Sequence, residues 1–370
     1  MSYAERIDRL RQTLRAQELD GLLVSNPENR RYLSGFTGQD DREDSAGVLL
    51  VGLGASALIT DGRYTAVAAA ECPGLRVVAR QGPMPAAAVA LAAELGVRRL
   101  GVEARHLTIA LQQDLNAAAT AAAAMLELVT TRNVLEAQRA VKDGDELAAI
   151  ARAVAITDAT MAHLLTFIRP GMAELAVVAE IERFMHAQGS DGMAFEPIVA
   201  GGPNAALPHA VPSERPLAAG ETIVIDMGAR FAGYCADMTR TICLGDPPER
   251  VRQVYDAVLR SLEACEAGLR AGITGQAADA LAREALASAG LGEYFVHGTG
   301  HGLGLEIHED PRLGAYAADY PLAANMPVTV EPGVYIPGWG GVRIEDTVVV
   351  LEGGMRRLTQ APKQLFVPLP

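Results

Sequence analysis

The chain has 370 residues, a formal net charge of -13 at pH 7, 49% hydrophobic residues and 21% charged residues. This length exceeds what one hydrophobic core usually serves, so we expect two domains, and the composition is that of a folded chain rather than a disordered one. The acidic balance repels phosphate backbones, which argues against nucleic acid as a partner.

The N-terminal segment predicts an amphipathic helix, because Ile7, Leu10 and Leu14 recur at helical spacing among charged residues. Such a segment is neither a signal peptide nor a membrane span, so we expect no membrane partner. The four cysteines form no CxxC pair and are too few for a disulfide framework. We therefore interpret them as reduced core residues and expect a cytoplasmic protein.

Short apolar runs in the first part of the chain predict buried strands at Gly21–Val24, Gly47–Val51 and Ala57–Ile59. Alanine tracts at 86–93 and 117–124 favour helix by intrinsic propensity. This alternation of helical and strand-like segments predicts a small α/β domain.

A polar segment, Thr130–Asp145, separates two regions of regular apolar spacing, and we place the domain boundary within it. The predicted domains are residues 1–131 and 132–370. After the boundary, apolar residues between Leu147 and Ile168 trace one helical face that ends at Arg169-Pro170-Gly171. Three more helices are predicted in the second domain, over residues 175–185, 251–269 and 274–289.

Three strand-like runs of the second domain each end with a carboxylate, at Thr222–Asp226, Met326–Glu331 and Gly341–Glu345. Acidic side chains are disfavoured in strands and are rarely buried without a partner. A glycine-containing turn after Asp226 leads back to Asp237, so we expect a hairpin that brings these two carboxylates close together.

Convergence of four carboxylates requires a source of positive charge. Period-two alternation places Glu331 on the same strand face as Thr329, and Glu345 on the same face as Arg343, so the acidic side chains can meet. Such a cluster repels itself unless some of its members are protonated. Two divalent cations balance four carboxylates, and the sequence therefore predicts a site for two metal ions.

Histidines concentrate around these acidic strands. His297, His301 and His308 lie in a glycine-rich segment, whose glycines disfavour a regular helix and allow close approach of the backbone. His209 precedes the first acidic strand. Four of the seven histidines are therefore candidates for the same site.

The phrases DMG, DMTRT, GHGLGLEIHE, VEPG and RIED, in this order, resemble the M24-type pita-bread metallopeptidases, in the branch of aminopeptidase P and prolidase. The resemblance covers residues 132–370 and implies an α+β pita-bread catalytic domain. Residues 1–131 resemble the α/β creatinase-like N-terminal domain of that branch, in phrases such as RYLSGFTG. The five metal ligands that the resemblance implies are Asp226, Asp237, His301, Glu331 and Glu345.

By this resemblance the protein is a dinuclear-metal exopeptidase that hydrolyses the N-terminal Xaa-Pro bond of dipeptides or short peptides through a metal-bridging hydroxide. Asp226 serves one metal ion, whereas His301 and Glu331 serve the other. Asp237 and Glu345 bridge both ions. Oxygen donors with one imidazole favour Mn(II) over a thiolate-bearing zinc site, and Co(II), Zn(II) or Fe(II) remain alternatives.

The resemblance also implies roles outside the ligand set. His209 and His308 are assigned to the developing oxyanion and the leaving nitrogen. Glu331 is assigned to proton transfer in addition to metal binding. His297 and Arg343 are assigned to the far end of the substrate.

Several points stay open at this level. The same likeness implies a homodimer, in which the charged stretch Gln39–Asp44 either reaches a neighbouring active site or is a solvated loop. Trp339, the single tryptophan, either lines the pocket for the proline ring or packs at the surface. The substrate is either an Xaa-Pro dipeptide or a longer Xaa-Pro-Yaa chain.

Other enzyme classes fit poorly, because the chain contains no complete GxGxxG, no P-loop, no HExxH and no GxSxG motif. Within the same fold, a methionine aminopeptidase would share the ligands but usually lacks the N-terminal domain. A creatinase-type amidinohydrolase lacks the full ligand set. A non-catalytic pita-bread binding protein would tolerate the loss of ligands.

Overall fold

The computed structural model describes residues 1–39 and 45–369. The two interpretations of the charged stretch 39–44 concern residues that, apart from Gln39, lie outside this described part. The chain divides by its internal contacts into two units, Met1–Arg139 and Ala140–Pro370. The domain boundary that we place after residue 131 stays a prediction.

The described residues of the first unit form a mixed six-stranded sheet. Its strands are β1 (Gly21–Val24), β2 (Gly47–Gly52), β3 (Ser56–Thr60), β4 (Arg76–Ala79), β5 (Arg99–Glu103) and β6 (Glu127–Thr131). They lie in the order β4-β3-β2-β1-β5-β6, with β2 antiparallel to both of its neighbours and the other pairs parallel. The three strands predicted from apolar runs are present as β1, β2 and β3.

Helices accompany this sheet: α1 (Tyr3–Ala16), α2 (Pro27–Ser34), α3 (Thr65–Glu71), α4 (Met84–Glu94), α5 (Ile109–Ala121) and α6 (Val134–Ala140). A capping box of Ser2 and Glu5 starts α1, which buries Ile7, Leu10 and Leu14 as their spacing predicts. The alanine tracts form most of α4 and the second half of α5. Helices α4 and α5 pack against apolar side chains of the sheet and share one hydrophobic core with them.

The segment Thr130–Asp145 is more structured than its polar sequence suggests. It contains the end of β6, the whole of α6 and the start of the next helix. Val134 and Leu135 of α6 are buried. Two apolar residues in one turn are too few to produce a periodic signal, which is why the helix was not predicted.

Four long helices occur in the described residues of the second unit: α7 (Gly144–Phe167), α8 (Glu174–Ala187), α9 (Glu249–Gly268) and α10 (Gly275–Ser288). A capping box of Asp143 and Glu146 starts α7. The helix predicted over residues 175–185 is present as α8, which buries Val177, Ile181 and Met185, whereas Leu175 is 42% exposed.

The strands of the second unit are short. They are β7 (Gly192–Met193), β8 (Ile198–Gly201), β9 (Ile223–Met227), β10 (Ala229–Phe231), β11 (Tyr234–Cys235), β12 (Met238–Leu244), β13 (Gly300–Gly302), β14 (Glu309–Leu313), β15 (Pro327–Val330), β16 (Gly333–Ile336), β17 (Gly340–Arg343), β18 (Asp346–Leu351), β19 (Gly354–Arg357) and β20 (Phe366–Val367). Two sheets carry the acidic residues or adjoin them, with the orders β20-β12-β9-β8 and β14-β13-β15-β18-β19. Smaller sheets are β11-β10-β7 and the hairpin β16-β17.

Each of the two larger sheets is covered by one pair of helices. Ile156 of α7 and Ile181 of α8 share a core with Ile225 of β9. Val258 of α9 belongs to a second core, together with Val348 of β18. These two sheets, each with its pair of helices, form the α+β catalytic domain that the resemblance implies.

Within the described part of the chain, one helix, α7, is long and apolar enough to span a membrane. Half of its most apolar stretch is buried inside the protein. Buried core helices can have the same length and apolar composition, and α7 contacts α8, β10 and β11. We therefore interpret α7 as a core helix.

Candidate metal centre

A long hairpin brings the two aspartates together. Strands β9 and β12 pair in antiparallel register, with Asp226 opposite Thr239, and the short strands β10 and β11 form the turn between them. Asp237 directly precedes β12. The ligand oxygens of Asp226, Asp237 and Glu345 all lie within 4.8 Å of one another, so the predicted hairpin and its consequence are both present.

Glu331 follows the last residue of β15. Its backbone N–H donates to the carbonyl of Thr299 at 2.7 Å, which ties it to the strand that begins at Gly300. The Thr329 hydroxyl donates to Glu331 Oε1 at 3.2 Å, as expected for residues on one strand face.

Glu345 differs from the prediction in its local structure. The strand predicted to end with this carboxylate stops at Arg343, and Glu345 lies in the connection just before β18. Its backbone N–H donates to the Thr239 carbonyl at 3.0 Å, and its Oε2 accepts from the Thr239 hydroxyl at 2.7 Å. Contacts with β12 therefore hold Glu345, a tertiary arrangement that strand periodicity does not encode.

His301 lies in β13 and supplies one imidazole to the cluster. Its Nε2 lies 3.3 Å from Glu331 Oε1 and 3.5 Å from Asp237 Oδ2. Its Nδ1 lies 3.0 Å from the carbonyl oxygen of Gly302, so Nδ1 carries the proton and donates. Burial lowers the pKa of His301 to about 3, which keeps the ring neutral and leaves Nε2 free as a ligand.

The carboxylates are crowded and poorly solvated. Burial, followed by repulsion from Glu345, raises the pKa of Asp237 well above its usual range. Burial likewise raises the pKa of Glu345 well above its usual range and that of Glu331 to about 7. Positive charge within the cluster would offset this burial and the repulsion between the carboxylates.

The residues fit a divalent cation. Asp226 Oδ1 and Glu345 Oε1 are buried and have no hydrogen-bond partner among the described residues. Buried polar atoms are otherwise almost always paired. Hard carboxylate oxygens with one imidazole nitrogen are a donor set suited to divalent metals.

Arg343 contacts more of the protein than the sequence indicates. Its guanidinium, 4% exposed, donates to Asp226 Oδ2 at 2.7 Å and to the Tyr335 hydroxyl at 2.7 Å. It also donates to the Pro208 carbonyl at 3.1 Å and the Thr239 hydroxyl at 3.0 Å. Four of the five guanidinium N–H groups are therefore used inside the protein.

Tyr335 links Arg343 to His297, and sequence reasoning missed it. The Tyr335 hydroxyl lies 2.9 Å from His297 Nε2, while His297 Nδ1 lies 2.8 Å from the Gly298 carbonyl. Burial lowers the pKa of His297 to about 4, so the neutral ring donates to Gly298 and accepts from Tyr335. An isolated tyrosine in a hairpin carries no spacing signal that would have identified this contact.

His308 and His209 reach the same cavity. The His308 ring lies 4.4 Å from the His301 ring, at an interplanar angle of 66°. Burial of its ring lowers the pKa of His308, which favours the neutral form. Both side chains are exposed to the cavity, where a substrate can contact them.

Glu174 anchors the segment that carries His209, and it was also missed. This buried carboxylate at the start of α8 accepts from the Gly201 and Ser213 backbone N–H groups at 2.9 and 3.0 Å. It also accepts from the Asn204 amide at 3.0 Å and from the Ser213 hydroxyl at 2.7 Å. These bonds fix both ends of the loop around His209.

The predicted site residues line one cavity of about 1010 Å³. They are His209, Asp226, Asp237, His297, His301, His308, Glu331, Arg343 and Glu345. Apolar side chains such as Phe195, Ile198 and Phe295 also line it. The interpretation that places Trp339 in this lining is wrong: Trp339 is not among the lining residues, and its ring stacks under Arg250 at 4.8 Å.

Comparisons with known sequences agree with this geometry. The profile of Metallopeptidase family M24 matches residues 148–352, and that of the Creatinase/Prolidase N-terminal domain matches residues 6–141. The chain is 37% identical over 362 residues to the uncharacterized peptidase YqhT of Bacillus subtilis, covering 98% of this chain and 99% of that protein. It is 40% identical over 234 residues to the Xaa-Pro dipeptidase of Pyrococcus furiosus, covering 63% and 67%.

Solved structures extend the similarity to both units. The Xaa-Pro dipeptidase from Bacillus anthracis superposes with a TM-score of 0.93 at 39% identity, covering all of both chains. The X-Pro aminopeptidase from Thermotoga maritima superposes with a TM-score of 0.86 at 34% identity, covering 96% of this chain and 99% of that one. The predicted fold, a creatinase-like domain followed by a pita-bread catalytic domain, is confirmed. The chain belongs to metallopeptidase family M24 and is an enzyme of that family.

Proposed function

We propose that this metallopeptidase hydrolyses the bond between an N-terminal residue and a following proline. The observation that carries the proposal is the cluster of four carboxylates and one imidazole in a cavity that is also lined by His209 and His308. Support comes from the whole-length similarity to the Bacillus anthracis Xaa-Pro dipeptidase.

Two divalent ions are the proposed cofactor, with Mn(II) as the first candidate. Asp226 would hold one ion and His301 with Glu331 the other, while Asp237 and Glu345 would contact both. When bound, such ions lower the pKa of water and polarise the scissile carbonyl. The unpartnered oxygens of Asp226 and Glu345 support this assignment.

Three side chains that line the cavity are assigned direct roles in the reaction. We assign His308 and His209 to hydrogen bonds with the carbonyl that becomes the oxyanion and with the leaving nitrogen. Glu331 is assigned to proton transfer, because its carboxylate adjoins the His301 ring at the site of hydrolysis. Both histidines line the cavity that the metal ligands line.

Specificity for proline is assigned to the apolar part of the cavity. The proline ring carries no amide hydrogen and has a fixed shape, so a pocket without a backbone acceptor suits it. Phe195, Ile198 and Phe295 supply apolar surface there. His297 and Arg343 are proposed to face the far end of the substrate, Arg343 through the one N–H that has no partner among the described residues.

The alternative functions known for proteins of this fold are less well supported. A methionine aminopeptidase usually lacks the N-terminal domain that residues 6–141 match. A non-catalytic binding protein has no need for four converging carboxylates, whose mutual repulsion destabilises the metal-free site.

We also propose a homodimer in the cytoplasm. The dimer rests on the likeness to the aminopeptidase P and prolidase branch. The cytoplasmic location is supported by four buried cysteines that form no disulfide bond among the described residues, Cys72, Cys235, Cys243 and Cys265.

The test is hydrolysis of Ala-Pro beside Ala-Pro-Ala by the manganese-loaded protein, with a chelator-treated sample and Ala-Ala as controls. We expect cleavage of a proline substrate that chelation abolishes and manganese restores. The ratio of the two rates decides between a dipeptidase and an aminopeptidase. Absence of Xaa-Pro cleavage in protein that has bound manganese would overturn the proposal.

A further inference from the structure

The segment Leu358–Lys363, here the C-terminal segment, is fastened to two different elements. The Leu358 N–H donates to the Thr347 carbonyl at 2.9 Å, and the Thr359 hydroxyl accepts from the Thr347 N–H at 2.9 Å. The N–H groups of residues 360 and 361 donate to the Asp158 carboxylate of α7 at 2.9 and 2.8 Å. The segment is therefore fixed against both β18 and α7.

One contact leads from this segment to Asp237. The Thr347 hydroxyl donates to the Asp237 backbone carbonyl at 2.8 Å. Thr347 is itself held by Thr359, and both side chains are fully buried. The position of the Asp237 main chain thus depends on the C-terminal segment through one intermediate residue.

A second contact leads to Glu345 through Arg240, which is 1% exposed. The Arg240 guanidinium donates to the Glu345 backbone carbonyl. It also donates to the Ala361 carbonyl of the C-terminal segment and to Asp346 Oδ1, each at 2.8 Å. One buried cation therefore joins the main chain of Glu345 to the segment.

Lys363 completes this arrangement. Its ammonium lies 2.5 Å from Asp346 Oδ2, and Arg357 lies 3.0 Å from the same oxygen. Asp346 is fully buried and directly follows Glu345 in the chain. Removal of one cation from a buried cluster of this kind leaves charge uncompensated and shifts the groups it holds.

We propose that the C-terminal segment is a positioning element that sets the main chains of Asp237 and Glu345, and thereby the affinity of the site for its metal pair. This inference rests on the proposed function, in which these two residues contact both ions. None of the residues 358–363 lines the cavity, so the segment acts through the ligands rather than on the substrate. Partners of metal ligands commonly tune affinity in this way.

The test compares Lys363→Met with the parent protein in a calorimetric manganese titration of chelator-treated samples. We expect a Kd for Mn²⁺ raised by about 10-fold to 100-fold. At saturating manganese the KM for Ala-Pro stays unchanged, because no substrate contact is lost. Lys363→Arg, which keeps the cation, should restore the parent affinity.

Two further variants separate positioning from general effects. Arg356→Met removes an equivalent charge from an exposed neighbour and should leave manganese affinity unchanged. Thr359→Val removes only the hydroxyl that accepts from the Thr347 N–H and should weaken manganese binding even where Lys363→Met fails to fold. Parent affinity in both Lys363→Met and Thr359→Val, or an equal loss in Arg356→Met, would overturn the inference.

Measurements on the parent protein test the proposed peptidase function separately from the positioning role of the C-terminal segment. Parent protein that binds manganese and cleaves Ala-Pro supports the proposed function. If its variants then bind manganese equally well, the positioning inference alone fails. Parent protein that binds manganese without cleaving any Xaa-Pro peptide overturns the function, while the affinity series still decides the role of the segment.

Discussion

In two acidic residues of the cluster, one carboxylate oxygen is hydrogen-bonded to the protein and the other has no such bond within the described part of the chain. Asp226 accepts from Arg343 at Oδ2, and its Oδ1 has no partner among the described residues. Glu345 accepts from Thr239 at Oε2, and its Oε1 is likewise unpartnered. One oxygen fixes each side chain, and in our proposal the other oxygen binds a cation, so that the ligand is oriented before a metal ion binds.

Asp237→Asn tests the ligand set. The amide keeps the size of the side chain but removes a negative charge and one metal-binding oxygen, so we expect loss of the metal pair and of peptidase activity. Metal content by mass spectrometry and Ala-Pro hydrolysis measure both effects. Asp256→Asn, on the exposed face of α9, is the matched control and should retain both. Full metal content in Asp237→Asn would remove our assignment.

His308→Ala tests a role outside the ligand set. We expect the metals to be retained while turnover falls by about 10²-fold to 10⁴-fold, because a hydrogen bond that strengthens in the transition state is lost. His209→Ala should behave in the same way. The exposed His186→Ala provides the control. Normal turnover in both His308→Ala and His209→Ala would contradict their roles.

The residues that sequence reasoning identified are those with a chemical reason to be unusual where they stand. Asp226 and Glu331 at strand ends, and His301 among glycines, are conspicuous because burial of such groups needs a partner. Tyr335 and Glu174 gave no such signal, since a tyrosine in a hairpin and a glutamate at a helix start are common. Their importance comes from tertiary contacts with Arg343 and the loop around His209.

At the level of elements, the start of α8 controls the loop that carries His209. Glu174→Gln replaces an acceptor-only carboxylate with a group that cannot accept all four hydrogen bonds. We expect a loss of about 1–3 kcal/mol in the free energy of unfolding. Turnover of Ala-Pro should fall while both metals remain bound, because His209 is displaced and the ligands are not.

Chemical denaturation, metal analysis and steady-state kinetics together test this variant. Glu182→Gln, on the exposed face of the same helix, is the matched control and should match the parent protein in all three. Unchanged turnover in Glu174→Gln would show that the loop keeps its place without this anchor.

Elements with long apolar runs or helical periodicity were predictable, and short or charged ones were not. The strands β1 to β3 are continuous and buried. By contrast β4 is exposed at both ends, and β5 and β6 begin or end with charged residues, so none stands out from its surroundings. Glu345 was predicted as the last residue of a strand, but it lies between two strands, where its backbone N–H donates to the Thr239 carbonyl of β12.

For the molecule as a whole, the buried carboxyls make stability depend on pH and metal together. Burial raises the pKa of Glu331 from 4.5 to about 7, and those of Asp237 and Glu345 move in the same direction. The metal-free folded state then holds more protons than the unfolded chain. The contribution of these carboxyls to the stability of the metal-free protein is therefore most favourable below pH 4.5, and it declines as the pH rises to about 7.

Metal ions bind the deprotonated carboxylates, so their stabilising effect should grow over the same pH range. We expect the increase in Tm on adding Mn²⁺ to chelator-treated protein to become larger as pH rises from about 5 to about 7. Differential scanning calorimetry at several pH values measures it. A manganese-induced shift in Tm that is independent of pH would show that these carboxyls are ionised throughout.

The hairpin of β9 and β12 also bears on how the enzyme is made. Asp226 and Asp237 leave the ribosome together, whereas Glu345 follows more than a hundred residues later and Lys363 later still. Synthesis proceeds from the N-terminus, and domains fold as units along the way. A chain that stops before Glu345 contains Asp226, Asp237, His301 and Glu331 but lacks the fifth proposed metal ligand. The proposed metal site is therefore complete only after Glu345 has been synthesised, so we expect the ions to bind after the β9–β12 hairpin has formed.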